Sequence, residues 1–388
     1  MSTSLDPFGL RTLDLDALRN KNGAKWQAHP ARFSAWVADM DFAVAPAIVD
    51  RLQAVVARSE FGYPNWGGPY EPSPAVGAFA ERMFGRYGWQ PCLDRLHELC
   101  DVVQGVRVTV QHLSAPGDGI VLHLPAYHPF LDTIDEMDRR LIPVLTDDSG
   151  GFDYEDLERR LSGARVWILC HPHNPLGHVF ERAELERIAE IAARHDIVVI
   201  SDEIHADLTY AGHTHIPYES LGPEVSARAV TITSASKAFN LAGLRWAVLH
   251  AGNDSLAATL AAMPGHYLGA PNVIAVEATV AAWNEGDDWL ADVLSVLDQN
   301  RHGLAGLLDE WFPEAVYVPP QATYLAWIDM TGAGFGDDPA ATFRERGVEL
   351  SSGPQFGPQG AGHVRLNFAT SPAVLAATVK AMRGDRTT

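Results

Sequence analysis

The sequence predicts an α/β chain: a large domain built on a mostly parallel sheet covered by helices, plus a smaller α+β domain. Three observations carry that reading. Strand-like and helix-like segments alternate through the middle of the chain. The residues best suited to chemistry fall just past the ends of those strands. A long apolar-faced helix near residue 287 then gives way to short strands. The 388 residues suit one large domain and one smaller one, and 47% apolar residues suffice for a sizeable core.

The elements follow in chain order. Residues 1–45 are rich in loop residues and are expected to pack with the smaller domain. Gly119-Ile120-Val121-Leu122-His123-Leu124 is an apolar run that stops at Pro125, a buried-strand pattern. Arg165 to Cys170 is a second strand, ending at His171-Pro172. Arg182 to His195 places Leu185, Ile188, Ile191 and Ala192 at helical spacing. Ile197 to Ile200 is a third strand, stopping at Ser201-Asp202. Ala229 to Thr233 is a fourth, stopping at Ser234, and Leu244 to His250 a fifth. Strand, helix, strand in this order implies right-handed crossovers and a sheet covered on both faces. Residues 287–309 form a long helix with Leu290, Val293, Leu294, Val296 and Leu297 on its apolar face. Shorter strands follow at Ala315–Val318 and His363–Phe368. The predicted division is 46–285 for the large domain, with 1–45 and 286–388 making the smaller one.

Composition narrows the function classes. Lys plus Arg total 29 against 49 Asp plus Glu, a net charge of −20. That balance disfavours nucleic acid and anionic membrane as partners but leaves small anions open. No apolar run reaches membrane-spanning length. Cys92, Cys100 and Cys170 form no Cys-x-x-Cys pair, which suits a reducing, cytoplasmic setting. Met1 to Pro7 has neither the basic nor the apolar region of a signal peptide.

The most informative residue is Lys237, in the run Ser234-Ala235-Ser236-Lys237, with Arg245 eight residues on. A lysine on a small, serine-rich turn can condense with an aldehyde cofactor, while hydroxyls and a guanidinium hold a phosphate. Asn174-Pro175-Leu176-Gly177 and Asp202-Glu203-Ile204-His205 lie upstream. Together the three pieces point to pyridoxal 5′-phosphate (PLP). Asp202 would face the pyridine nitrogen and keep it protonated; its plainer role is a helix N-cap. Asn174 would donate to the cofactor's phenolate oxygen, or simply make an Asn-Pro turn. Tyr127 would stack on the pyridine ring, or pack in the core. Arg245 would bind phosphate, or make a surface ion pair. Gly105 and Val106, in a helix-like stretch, would offer backbone N–H groups to the phosphate. Arg365 would grip a substrate α-carboxylate with two hydrogen bonds, or make a strand-end salt bridge. His171, His173 and His205 lack partners at metal-site spacing, so no metal is expected. His213 and His215 are expected on a solvated loop.

These residues resemble the fold-type I PLP enzymes, the aspartate aminotransferase superfamily, over nearly the whole chain. Trp36-Val37-Ala38-Asp39-Met40-Asp41-Phe42, Phe61-Gly62-Tyr63-Pro64 and Ser201-Asp202-Glu203-Ile204-His205-Ala206-Asp207 look like the MalY/PatB branch of cystathionine β-lyases, or C–S lyases. The stretch Arg365-Leu366-Asn367-Phe368-Ala369 looks like the family's carboxylate-binding region. The resemblance implies a homodimer acting on a small amino acid, with Tyr63 reaching the neighbouring subunit's cofactor phosphate. It also implies Ala38 and Arg365 at the substrate, Ser234 at the phosphate, and His205 near the ring or supporting Asp202. The segment around Gly105 and Arg107 departs from the superfamily's hydroxyl-rich phosphate loop. The implied reaction is β-elimination from a cysteine-derived thioether. Aminotransfer shares the earlier steps and stays open as the alternative, and a partner-binding regulatory role is a third reading.

Overall fold

The computed structural model describes residues 6–67, 71–146, 151–264 and 267–384. Most of the N-terminal stretch read for a signal peptide lies outside them. Contacts divide the chain into two compact units. The larger comprises Val44–His173 and Val179–Asp287; the smaller comprises residues 1–43, Asn174–His178 and 288–388.

The larger unit carries a seven-stranded sheet. Its strands are β1 (Leu96–Leu99), β2 (Gly119–His123), β3 (Arg140–Val144), β4 (Ala164–Cys170), β5 (Val198–Asp202), β6 (Ala229–Thr233) and β7 (Ala247–Ala251). They lie in the order β1-β7-β6-β5-β4-β2-β3. The run from β6 to β3 is parallel throughout, whereas β7 pairs antiparallel with both β6 and β1. Every residue of β2, β6 and β7 is buried, as expected for strands covered on both faces. The predicted strand at 244–250 begins later, at Ala247, because Ala242–Leu244 is a tight 3₁₀ turn. No crossover helix separates β6 from β7, so β7 returns antiparallel.

Helices flank the sheet and start where the sequence supplies caps. Asp101 accepts from Gln104 N ahead of Val102–Leu113, and Ser73 from Ala75 N ahead of Pro74–Tyr87. Gly88, at φ 68°, ends the second of these in the left-handed region that glycine adopts freely. Helix Arg182–Arg194 buries Leu185, Ile188, Ile191 and Ala192, the face its periodicity predicts.

A charged latch fixes the chain just beyond β5. Asp207 accepts from Arg82 Nε at 2.7 Å and Tyr87 OH at 2.7 Å, and pairs with Arg86 Nε at 3.1 Å. Arg82 also donates to Trp283 O and pairs with Asp287, and its guanidinium lies over the Phe239 ring. Burial alone would push the Asp207 carboxyl up, but Arg82 and Arg86 hold it below the usual carboxylate range.

The smaller unit has a four-stranded antiparallel sheet of β8 (Val316–Tyr317), β9 (Leu325–Asp329), β10 (Ser351–Ser352) and β11 (His363–Asn367), in the order β10-β11-β9-β8. The long helix spans Asp287–Trp311 and buries Leu290, Val293, Val296, Leu297, Leu304 and Leu308. Gly177 is required here. At φ 66°, a Cβ would stand 2.2 Å from Pro320 Cβ, and its carbonyl accepts from Gln321 and Ala322. Asn174–His178 thus docks within the smaller unit.

Removing one partner of a buried ion pair strands the other charge, at a cost of about 3–5 kcal/mol. Asp207→Ala is therefore expected to lower unfolding free energy by roughly 3 kcal/mol in urea titration. A loss under ~0.5 kcal/mol would show that the latch carries no such load.

Candidate active site

Asp202 is the last residue of β5 and is 3% exposed. One carboxylate oxygen accepts from Ile204 N at 3.1 Å; the other is 3.8 Å from the Cys170 thiol. Cys170 is its registered neighbour on β4, a residue the sequence reading left out of the site. Asp202 lies inside the strand, so it is not the N-cap of a helix. Burial pushes its pKa up to about 7, opposed by the Ile204 hydrogen bond, reinforced by Glu203, and opposed again by the thiol and Lys237. A buried carboxylate with two weak partners suits a cation placed against it, which is what a protonated pyridine nitrogen provides. The donor set therefore fits PLP.

Two further acids on this segment contrast with Asp202. Glu203 is buried and accepts from Ser201 Oγ at 2.8 Å and Tyr218 N at 2.9 Å, with His215 Nε2 at 3.0 Å. Asp207 has its arginine latch. The expectation for His215 needs correction: His213 is exposed, but the His215 side chain is fully buried. Its ring lies 4.5 Å from that of His171 and edge-on to Tyr87. The burial follows from Glu203, whose carboxylate needs a partner inside the fold.

Lys237 follows β6 by four residues and is half-buried. The turn that carries it is tightly organised. Ser234 Oγ donates to Trp246 O at 2.6 Å and accepts from Ser236 N at 3.1 Å. The Ser234 hydroxyl proton is thus committed to the turn. Arg245 adopts a left-handed backbone, φ 62°, between Leu244 O, which accepts from Asn272, and Trp246 O. Non-glycine residues hold that conformation only where the surroundings enforce it. The Arg245 side chain is 62% exposed and pairs with Asp101 at 2.5 Å. That is the ion pair weighed against phosphate binding.

Asp101 caps the helix that contains Gly105 and Val106. Both are buried one turn inside it, and Gly105 N already bonds Asp101 O. A Cβ on Gly105 would approach Leu99 Cδ1 to 2.8 Å and Ile232 Cδ1 to 3.0 Å, so glycine lets the helix pack onto the sheet. Tyr127 caps helix His128–Glu136 and meets Phe130 edge-on, packing on the core that includes Cys170. His205 is buried, and Tyr63 is fully exposed. Among the described residues no group of three or more His, Cys, Asp or Glu is placed to hold a metal ion.

The smaller unit gathers the other candidates. Arg365, on β11, is 4% exposed. It donates from Nη1 to Asn174 Oδ1 at 3.0 Å, and from Nη2 to Trp36 O at 2.9 Å and Ser351 Oγ at 3.1 Å. Its guanidinium lies over the Phe356 ring at 4.8 Å. Engaging Asn174 Oδ1 fixes the amide orientation and leaves Nδ2 as the donor end. Ala38 O accepts from Tyr324 OH at 2.8 Å.

A group with a raised folded pKa contributes stability below its unfolded pKa and loses it as pH rises through the folded value. For Asp202 that contribution is present below 3.8 and gone above about 7. The cofactor-free Asp202→Asn protein should therefore melt higher than wild type at pH 8, with the difference shrinking toward pH 4. Equal melting at pH 8 would contradict an uncompensated carboxylate.

The family described as aminotransferase class I and II matches residues 101–382. A cystathionine beta-lyase of Corynebacterium glutamicum is 32% identical over 94% of this chain and 97% of its own length. Cystathionine beta-lyase PatB of Bacillus subtilis is 33% identical over 88% and 89%. The PLP-bound C-S lyase from Staphylococcus hominis superposes with a TM-score of 0.87 at 28% identity, covering 97% of this chain and 100% of that one. The chain belongs to the aminotransferase class I and II family, in the branch of PLP-dependent enzymes that holds cystathionine beta-lyase PatB and protein MalY.

Proposed function

We propose that the protein is a PLP-dependent C–S β-lyase. It would cleave cysteine-derived thioethers such as cystathionine, with water, to a thiol, pyruvate and ammonia; from cystathionine the thiol is homocysteine. The observation that carries this reading is full-length similarity to cystathionine β-lyases in a chain that has Lys237, Asp202, Asn174 and Arg365.

When bound, PLP supplies an aldehyde for the substrate amine and a ring that accepts the electron pair left at the α-carbon. The chain's residues do the rest. Lys237 Nζ holds the cofactor at rest, then takes the proton from the substrate α-carbon. Asp202 keeps the pyridine nitrogen protonated, and its burial strengthens that pairing. Asn174 Nδ2 donates to the phenolate oxygen, while Tyr127 covers the ring face. His205, buried three residues beyond Asp202, would serve near the ring or support Asp202. Arg365 binds the substrate α-carboxylate, with the backbone at Ala38 beside it. Arg245 and Ser234 serve the phosphate, Ser234 exchanging its bond to Trp246 and Arg245 its pair with Asp101; Gly105 and Val106, expected to offer backbone N–H groups, instead lie a turn inside the helix, where Gly105 N is spent on Asp101 O.

Two copies would complete the site, with Tyr63 donating to the partner's phosphate. Supporting this, Tyr63 is fully exposed, and Phe61 and Val56 in the same stretch of chain are 61% and 56% exposed. A cytoplasmic setting suits three free cysteines, and no described helix is long and apolar enough to cross a membrane.

The test is cystathionine turnover by the PLP-loaded protein with no keto acid present. Pyruvate and free thiol should appear together, in equal amounts and through many turnovers. Amino-group exchange only after a keto acid is added would make the protein an aminotransferase. Lys237→Ala should lose the visible absorption of the lysine-bound cofactor and lower turnover by at least 10³-fold, the scale of a lost base and nucleophile. Unchanged absorption and turnover would remove Lys237 from the role.

A further inference from the structure

Residues 35–43 of the smaller unit form no helix or strand, yet their backbone is thoroughly bonded. Ala35 O accepts from Asn367 N at 2.8 Å, and Trp36 O from Ser351 Oγ and Arg365 Nη2. Val37 O and Asp39 O each accept from Asn367 Nδ2 at 2.7 Å. Ala38 O, between them, accepts from Tyr324 OH. Lys25 Nζ also reaches Asp39 O, and it forms a buried ion pair with Asp41 at 2.9 Å.

Asn367 is the centre of this arrangement. It is 1% exposed, and both amide hydrogens and the amide oxygen are used, the oxygen by Ala369 N at 2.7 Å. Only a primary amide supplies two donors and an acceptor at this reach; an aspartate accepts only, and a serine donates once. Asn367 lies two residues from Arg365 on β11, so both side chains leave the same face, about 7 Å apart along the strand. Arg365 grips the carbonyl before Val37, and Asn367 brackets Ala38 on both sides.

We propose that Asn367 is a positioning residue that fixes the spacing between the Arg365 guanidinium and the Val37–Asp39 backbone. That spacing sets the affinity for the substrate's α-carboxylate. The inference rests on the lyase reading and on Arg365 as the carboxylate holder, and adds what makes that holder selective. A slackened loop lets the guanidinium and the backbone beside Ala38 drift apart, so binding weakens before chemistry does.

The experiment compares holoenzymes of wild type, Asn367→Asp, Asn367→Ser and Arg365→Lys. It measures kcat and KM for cystathionine, melting temperature, and binding of L-alanine and of ethylamine by the shift in cofactor absorption. Alanine carries the carboxylate and ethylamine lacks it. Asn367→Asp keeps size and the acceptor for Ala369 but loses both donors. It should raise KM and the alanine Kd at least 10-fold, with kcat within threefold and ethylamine binding unchanged. Asn367→Ser, with one donor, should fall between, and carries the test alone if the aspartate variant does not fold. If alanine binding is unchanged in the Asn367 variants but weakened in Arg365→Lys, the positioning role is overturned and the carboxylate assignment stands. If Arg365→Lys also leaves alanine binding unchanged, the carboxylate assignment fails and the inference fails with it. Equal losses in alanine and ethylamine binding, together with lower melting, would reduce Asn367 to a structural residue and overturn the proposal.

Discussion

The site depends on one costly feature, a carboxylate buried at the end of a central parallel strand without a strong counter-charge bonded to it. Asp202 shares its segment with two other buried acids, and the fold treats the three differently. Glu203 receives a serine hydroxyl, a backbone N–H and a histidine. Asp207 receives two arginines and a tyrosine. Asp202 receives one backbone N–H and the edge of a thiol. Leaving one of three so poorly compensated is unfavourable for folding alone. It becomes intelligible if a bound cation completes the pairing, and the neighbouring acids are then secured so that their charges do not compete for it.

The rest of the larger unit serves to hold that carboxylate still. Five parallel strands present their ends on one side, the arrangement in which open α/β sheets carry ligands. Lys237 reaches the same side from β6 on a turn whose serine is spent on rigidity rather than exposed. Arg245 keeps a strained backbone because the carbonyls on both sides of it are pinned. In the smaller unit the same logic appears in another chemistry. A guanidinium and an amide on one face of β11 replace the ladder partners that the Trp36–Asp41 backbone lacks.

Much of this was legible in the sequence, for identifiable reasons. Strands β2 and β4 are mostly apolar runs closed by Pro125 and Pro172, and β6 mixes apolar residues with threonine before Ser234. Burial on both faces writes such runs directly into the sequence. Lys237, Asp202 and Asn174 stood out because each lies at or just past the end of a strand. What escaped depends on distant pairing. His215 reads as a loop residue until Glu203, twelve positions away, is seen to require it. Cys170 reads as a core residue until strand register sets it beside Asp202. Asn367 is one more polar residue in a strand until the irregular segment some 330 positions upstream presents its carbonyls. Strand β1 is short and only half apolar, and the reversal of β7 is written in the missing crossover helix rather than in the strand.

The account stands or falls on whether Asp202 holds a protonated pyridine nitrogen. The direct measurement is the ¹⁵N chemical shift of PLP labelled at its ring nitrogen, bound to the holoenzyme at pH 8. A pyridinium shift in wild type, moving to that of neutral pyridine in Asp202→Asn, is the result the structure predicts. A neutral-pyridine shift in wild type would mean that the buried carboxylate serves another purpose, and the site would have to be read again from that residue outward.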